Sequence, residues 1–369
     1  MSIAKLVEWL GPWAGTRLPR DVVRTSVELP RTGDALPLRA YVYRPARGRA
    51  IGAYLLSPGL HYLGPEDPRS DRFARVLGAA GFIVVAPFLP DYLDLQLAPR
   101  ATDDLAVAWE SVEAEARSQR LPRPAIFSIS FGSQPAIALA ARDTHRARVG
   151  ALVLFGGFAD FDATVKFAIT GKHDARDAAP AAAYDPLNVP VVFLNLLPYM
   201  PIEGDREALA RAWRAFVQRT WGKPEMKSRS EHAPVAEDIA QYLYSEADRE
   251  MFRVGCGLRP GAIAHVERAL SQGETRDAFA FADPRPDLAR VLAPVVVVHG
   301  QEDDVIPWIE AEKIRASLPA GHPHRVYLTG MYGHSGTSKL ANVRAIAREG
   351  RTLLAIVRAM VAAPCGELR

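Results

Sequence analysis

Short runs of consecutive apolar residues recur along the chain, separated by segments whose apolar positions repeat every three or four residues. Ala53-Tyr-Leu-Leu56, Phe82-Ile-Val-Val-Ala86, Ala125-Ile-Phe-Ser-Ile129, residues 149–155 and Pro294-Val-Val-Val-Val-His-Gly300 are the apolar runs. Each has the length of a strand and none alternates, as expected of strands covered on both faces. Residues 22–29 and 38–43 do alternate, with Arg31-Thr-Gly-Asp34 as a turn, and read as an antiparallel pair with one exposed face. Helical spacing marks about 70–80, 101–118, 133–142, 308–318 and 339–362, with a further strand at 325–329. Thr102 is read as the N-cap of the second of these helices, with Asp103 and Asp104 in its first turn. Strands alternating with helices predict an α/β fold built on a mostly parallel sheet.

The alternation stops after Phe155-Gly-Gly-Phe158 and resumes near residue 289. The intervening stretch, 160–288, is too long for a plain connection. It reads as a mainly helical cap, with helices near 205–221, 233–249 and 260–272 and one extra strand at Val189–Leu197. The expected organisation is therefore 1–37 (an N-terminal helix and first strand), 38–159 (core), 160–288 (cap) and 289–369 (core). Aromatic residues of the cap, Phe158, Phe161, Phe193, Tyr199, Trp213, Trp221, Tyr242 and Tyr244, are assigned mainly to its interior, with a few expected to line an apolar pocket. Ile3, Leu6, Val7 and Leu10 share one helical face and predict a short helix docked on its own domain. Lys5 and Glu8 interrupt the apolar run that a signal peptide would need.

Composition narrows the function classes. Hydrophobic content of 49%, charged content of 24% and a formal net charge of +3 fit a globular protein with interspersed charges. They give no reason to expect a nucleic-acid or anionic-membrane partner. Cys256 and Cys365 lie too far apart for metal-site spacing and read as free thiols in a reducing compartment, the cytoplasm. No apolar run is long enough to span a bilayer.

Candidate chemistry gathers where strands end, the edge at which open α/β sheets hold their sites. At Ser128-Ile-Ser130-Phe-Gly132 a strand turns directly into a helix. Small residues two positions before and after Ser130 permit the reversal and set its hydroxyl at a helix N-terminus. Ser57–Gly64, Gly300-Gln-Glu-Asp-Asp-Val-Ile-Pro307 and Gly330-Met-Tyr-Gly-His-Ser335 follow three other strands. In chain order these loops offer a serine, a carboxylate and a histidine, the set that nucleophilic catalysis requires. The hydroxyl needs a base, and the imidazole needs a carboxylate to fix its tautomer. Glu302, Asp303 and Asp304 compete for the acid, with Asp160 behind them. Asp205 joins that contest only if the strand at 189–197 enters the main sheet. Ser128 and Ser133 are the rival hydroxyls, and His61 is placed to line the pocket.

Residues 38–160 and 289–362 together resemble the α/β-hydrolase superfamily, whose triad runs Ser, Asp or Glu, His along the chain. Ser128–Gly132 resembles the nucleophile elbow, which implies Ser130 as nucleophile. Gly300–Pro307 is similar to the acid loop, which implies Asp303, and Gly333-His334 resembles the last catalytic loop, which implies His334 as base. Ser57-Pro-Gly-Leu-His-Tyr62 stands where the superfamily carries its first oxyanion loop. The resemblance implies backbone N–H donors at Leu60 (or His61) and Phe131, with His61 and Tyr62 beside the substrate. The implied activity is a serine hydrolase cleaving a carboxylic ester or thioester of a small molecule with an apolar acyl or aryl group, without metal or organic cofactor. Amide or peptide cleavage and acyl transfer use the same triad, and a hydrolase-like binding protein without activity is the alternative of another class.

Overall fold

The computed structural model describes residues 2–11, 15–31, 33, 36–172, 184–333, 336–337 and 343–368; the side chains of 332–333, 336–337 and 343–347 are not among what it describes. Eight strands form one sheet in the order β1-β2-β4-β3-β5-β6-β7-β8. They are β1 (Val22–Leu29), β2 (Leu38–Pro45), β3 (Gly52–Ser57), β4 (Phe82–Pro87), β5 (Ala125–Ile129), β6 (Ala151–Phe155), β7 (Val295–Gly300) and β8 (His324–Thr329). Only β2 runs antiparallel to its neighbours β1 and β4; all other pairs are parallel. Register aligns the strand ends that matter: Ser57 pairs with Ser128, Ile129 with Phe155, Phe155 with Val298, and Gly300 with Thr329. Four loops therefore leave the sheet along one edge.

The non-alternating strands are buried on both faces because helices cover both. Successive residues point to opposite sides. Leu55, Ile126, Leu154 and Val297 meet α4 (Arg100–Ser118), with Trp109 at its centre, α5 (Ser133–Ala141) and α14 (Ile309–Ser317). Tyr54, Phe127, Val153 and Val296 meet α2 (Pro68–Ala79) and the last helix, α15 (Val343–Ala362). The first helix, α1 (Ser2–Leu10), packs against α2 and α15 with Leu6 fully buried, and Lys5 Nζ donates to Ala79 O at 3.0 Å. It is docked on its own chain. α3 (Pro90–Leu93) is a single turn after β4, and Thr102 is not the cap of α4, which begins two residues earlier at Arg100 with Pro99 as N-cap.

Among the described residues between β6 and β7 every regular element is helical: α6 (Phe161–Thr170), α7 (Val189–Leu196), α8 (Arg206–Thr220), α9 (Arg229–Ala240), α10 (Glu246–Gly255), α11 (Ala262–Ser271), α12 (Gly273–Ala278) and α13 (Arg285–Leu288), with short 3₁₀ turns. Residues 189–197 are thus not a strand. All of α7 except Val192 is buried, because it packs against α6, α8, α10 and α11, so no polar face reveals its helical period. The expected helix at 233–249 is two helices. Ser245 breaks them by capping α10, accepting from Asp248 N at 3.0 Å. Tyr242 and Tyr244, assigned to an interior, lie in that break and are 81% and 98% exposed. Phe158, Phe193, Trp213, Phe216 and Phe252 form the interior of this layer instead.

Both ends of the helical body are tied to the same sheet edge. Glu310, fully buried in the first turn of α14, accepts from Ala159 N at 2.9 Å and Asp160 N at 2.8 Å. Gln134, in the first turn of α5, donates to Phe281 O at 2.7 Å. Among the described residues no helix is long and apolar enough to cross a membrane.

Candidate active site

Ser130 follows the last residue of β5 and opens the turn into α5 with φ of +53°. A side chain in this left-handed region costs roughly 1–2 kcal/mol, so the surroundings must impose it. They do so by close approach. A Cβ on Gly132 would stand 2.3 Å from Pro58 O and 2.7 Å from Ser57 O, and Ser57 Oγ donates to Gly132 O at 2.8 Å. A Cβ on Gly59 would lie 3.6 Å from Ser130 Cβ. The loop after β3 is pressed onto the serine turn. Ser128 and Ser133 are fully buried, the first donating to Val153 O and the second accepting from Phe158 N, both at 3.4 Å.

In the loop after β7, Asp303 is the buried carboxylate. Its Oδ1 accepts from Val305 N and Ile306 N, both at 2.9 Å. His299 Nε2 lies 3.8 Å from Asp303 Oδ2 and donates to Ile306 O at 2.8 Å; a carbonyl only accepts, so this nitrogen carries the proton. Glu302 is exposed, and Asp304 is held by Lys227. Asp160 is occupied as the N-cap of α6 and as partner of Lys313 at 3.1 Å, and Asp205 caps α8. His334 lies outside the described residues. The chain leading to it leaves β8 beside the Asp303 loop: Gln301 N donates to Thr329 O at 2.9 Å, and Tyr332–Gly333 runs against β7. Buried Glu349 fixes that exit, accepting from Thr329 Oγ1 at 2.8 Å and Gly330 N at 3.0 Å.

Above the serine turn lies a cavity of about 170 Å³. Ser130 is the only serine among the described residues lining it, flanked by Leu60, Phe131 and His61. Leu97, Phe161, Val165, Leu187, Val191 and Leu196 give it an apolar wall. One engineered cavity of nearly this size, roughly 150 Å³, holds benzene.

No family model matches the chain. Its structure is similar to that of brefeldin A esterase, a bacterial homologue of human hormone sensitive lipase, with a TM-score of 0.51 and 15% identity over 100% of this chain and 86% of that one. An esterase from Pyrobaculum calidifontis gives 0.47 and 16%, over 98% and 89% of the two chains. The dipeptidyl peptidase 4 of Porphyromonas gingivalis gives 0.46 and 13%; 91% of this chain is covered, but only 36% of that one. The chain has the α/β-hydrolase fold.

Within this fold, the residues expected from sequence fall as follows. Ser130, Phe131, Leu60 and His61 meet at the cavity, and Asp303 sits in the loop whose Val305 lines it. Tyr62 is not among the lining residues; it stacks on His61 with ring centroids 4.6 Å apart. His61 Nδ1 accepts from Leu63 N at 3.1 Å, so the ring proton sits on Nε2, which lies 3.2 Å from Asp67 Oδ2 without a hydrogen bond to it. Burial pushes its imidazole down to about 4, although Asp67 pulls the other way. With Nδ1 taken by Leu63 N and Nε2 already carrying the proton, it is not placed to serve as base. Sequence reading missed Asn195, which donates to Leu95 O and Val191 O, accepts from Leu97 N at 2.7 Å and lines the cavity. It also missed Asp185 and Lys227 at the polar end, where Lys227 Nζ bridges Asp185 at 3.1 Å and Asp304. Asp185-Pro-Leu-Asn188, a cap followed by proline, was the available signal.

Proposed function

We propose that this chain is a serine hydrolase acting on a small carboxylic ester or thioester, with 160–288 as a cap over the site. Ser130 Oγ attacks the acyl carbonyl while His334 takes its proton, and Asp303 orients the imidazole. Backbone N–H groups of Leu60 and Phe131 receive the oxyanion, each donor worth roughly 3–4 kcal/mol in such sites. His334 then returns the proton to the leaving oxygen or sulfur, and water repeats the sequence to free the acid and Ser130. The observation carrying this reading is the left-handed backbone of Ser130, φ of +53°, in a strand-to-helix turn at the floor of the cavity, a strain of the kind that gathers at active sites. The apolar wall favours an acyl or aryl group of about six carbons, the size of benzene.

A fluorophosphonate should label the protein once, at Ser130, and Ser130→Ala should lose both label and turnover of p-nitrophenyl esters. Esters of graded chain length compared with aminoacyl anilides then separate esterase from peptidase. Labelling elsewhere, or full turnover by Ser130→Ala, refutes the mechanism; anilides cleaved faster than every ester refutes the substrate class.

A further inference from the structure

The loop that carries Leu60 is held from two directions. From below, Ser57 Oγ bonds Gly132 O at 2.8 Å and Gly59 rests against Ser130. From above, the only described ring of the helical layer that meets this loop is Trp221, immediately after α8. Its indole lies 5.4 Å from the His61 ring, tilted by 36°. Trp221 is itself pinned: its backbone N donates to Val217 O and its Nε1 to Leu187 O, both at 2.9 Å. Leu187 and Trp221 both line the cavity.

His61 passes this contact to the backbone. Its Nδ1 accepts from Leu63 N and its carbonyl accepts from Gly64 N at 2.9 Å. Its Nε2 faces Asp67, which caps α2 by accepting from Arg69 N at 2.9 Å and Ser70 N at 3.3 Å. Tyr62 stacks on the ring and its hydroxyl approaches Gln218 O of α8 at 3.5 Å. The ring is thus a spacer between α8 and the turn that follows Leu60. Its Nδ1 is taken by Leu63 N, so the ring has no acceptor nitrogen to offer a substrate.

We infer that Trp221 and His61 form one positioning unit, in which the indole seats the imidazole and the imidazole sets the direction of the Leu60 N–H. The inference rests on the assignment of that N–H to the oxyanion, made above. An oxyanion donor counts only in the transition state, so its misdirection lowers kcat and leaves substrate affinity nearly alone. The acyl wall would do the reverse.

The test is a cycle of Trp221→Ala, His61→Ala and the double variant, with Trp221→Phe and His61→Asn as conservative partners, on p-nitrophenyl hexanoate. Thermal melts and circular dichroism first establish that each variant is folded. Each alanine variant should lose about 10- to 100-fold in kcat, the scale of a sub-ångström to 1 Å displacement, with KM changed little. The double variant should lose no more than the worse single, because the two act in series. Trp221→Phe keeps a ring against His61, and His61→Asn keeps an acceptor at the Nδ1 position for Leu63 N, so both should restore most of kcat. Losses that multiply in the double variant, or a rise in KM at constant kcat, overturn the inference while fluorophosphonate labelling of Ser130 keeps the hydrolase reading intact. A wild-type protein that does not label at Ser130 overturns both.

Discussion

Replacing Gly132 by alanine sets local preference against packing. Gly132 has φ of −62° and ψ of −12°, a helical backbone that any residue adopts. Helix propensity alone therefore predicts that alanine stabilises the start of α5, by up to about 1 kcal/mol. Space predicts the opposite. The new methyl would stand 2.3 Å from Pro58 O and 2.7 Å from Ser57 O, both backbone atoms that no rotamer change can move. Carbon–oxygen contacts settle near about 3.3 Å, so the loop and the serine turn must part by about 1 Å. Overpacking of this kind costs roughly 1–3 kcal/mol. With an unfolding entropy of about 2.1 cal/mol/K per residue over 369 residues, that lowers Tm by roughly 1–4 °C. The same ångström separates Leu60 from Ser130, and displacements of that size cost about 100-fold in rate. Gly59→Ala is the control, because its methyl meets Ile129 O at an ordinary 3.4 Å and Ser130 Cβ at 3.6 Å. The assay is kcat/KM on p-nitrophenyl esters beside a thermal melt. A Gly132→Ala protein that is as stable and as active as its Gly59→Ala counterpart refutes the reasoning.

Two further predictions follow from the same loops. Ser130→Gly releases the left-handed strain that Ser130→Ala retains, so glycine should be the more stable of two inactive variants by about 1 kcal/mol in denaturant titrations; equal stabilities would remove the strain argument. His61 has a folded pKa of about 4 against roughly 6.5 in an unfolded chain. Between those values the unfolded chain binds a proton that the folded protein does not, so stability falls as pH drops from about 6.5 to 4. Asp67 and Arg69 face the ring in every folded molecule and are included in that shift. The loss is about 3 kcal/mol at most, and His61→Asn should flatten the pH dependence of the denaturation midpoint in this window by that amount. A variant with the same acid slope as wild type would show that His61 is not its source.

The central strands were legible because each is a compact apolar run bounded by Gly, Pro or polar turns, and β1 and β2 from their alternation; β7, with four consecutive valines before His299, is the plainest. The serine turn was legible from Ser128-Ile-Ser-Phe-Gly132, since only small residues fit where Gly132 meets Pro58. What failed was the helical layer. Val189-Pro-Val-Val-Phe-Leu-Asn-Leu196 has the β-branched and aromatic content of a strand, and being buried nearly all round it shows no helical period. Pro190 in the first turn and Asp185 capping the turn before it were the contrary signals. Tyr242 and Tyr244 were misassigned because aromatic content says nothing about which face of a break they occupy. Asn195 and Lys227 reach the cavity only through tertiary packing, and no local pattern announces them.

Glu310 and Gln134 hold residues 159–160 and 281 at the starts of two helices along one rim of the sheet. Whatever lies between those two moorings begins and finishes close to where it began, and closing a longer excursion adds only about 0.6 kcal/mol for each doubling of its length. The roof is therefore a replaceable part. Under the proposed function, its shape can be redrawn, residue by residue or wholesale, while the hydroxyl and the strands beneath it stay where they are, so selectivity would be free to drift far faster than reactivity.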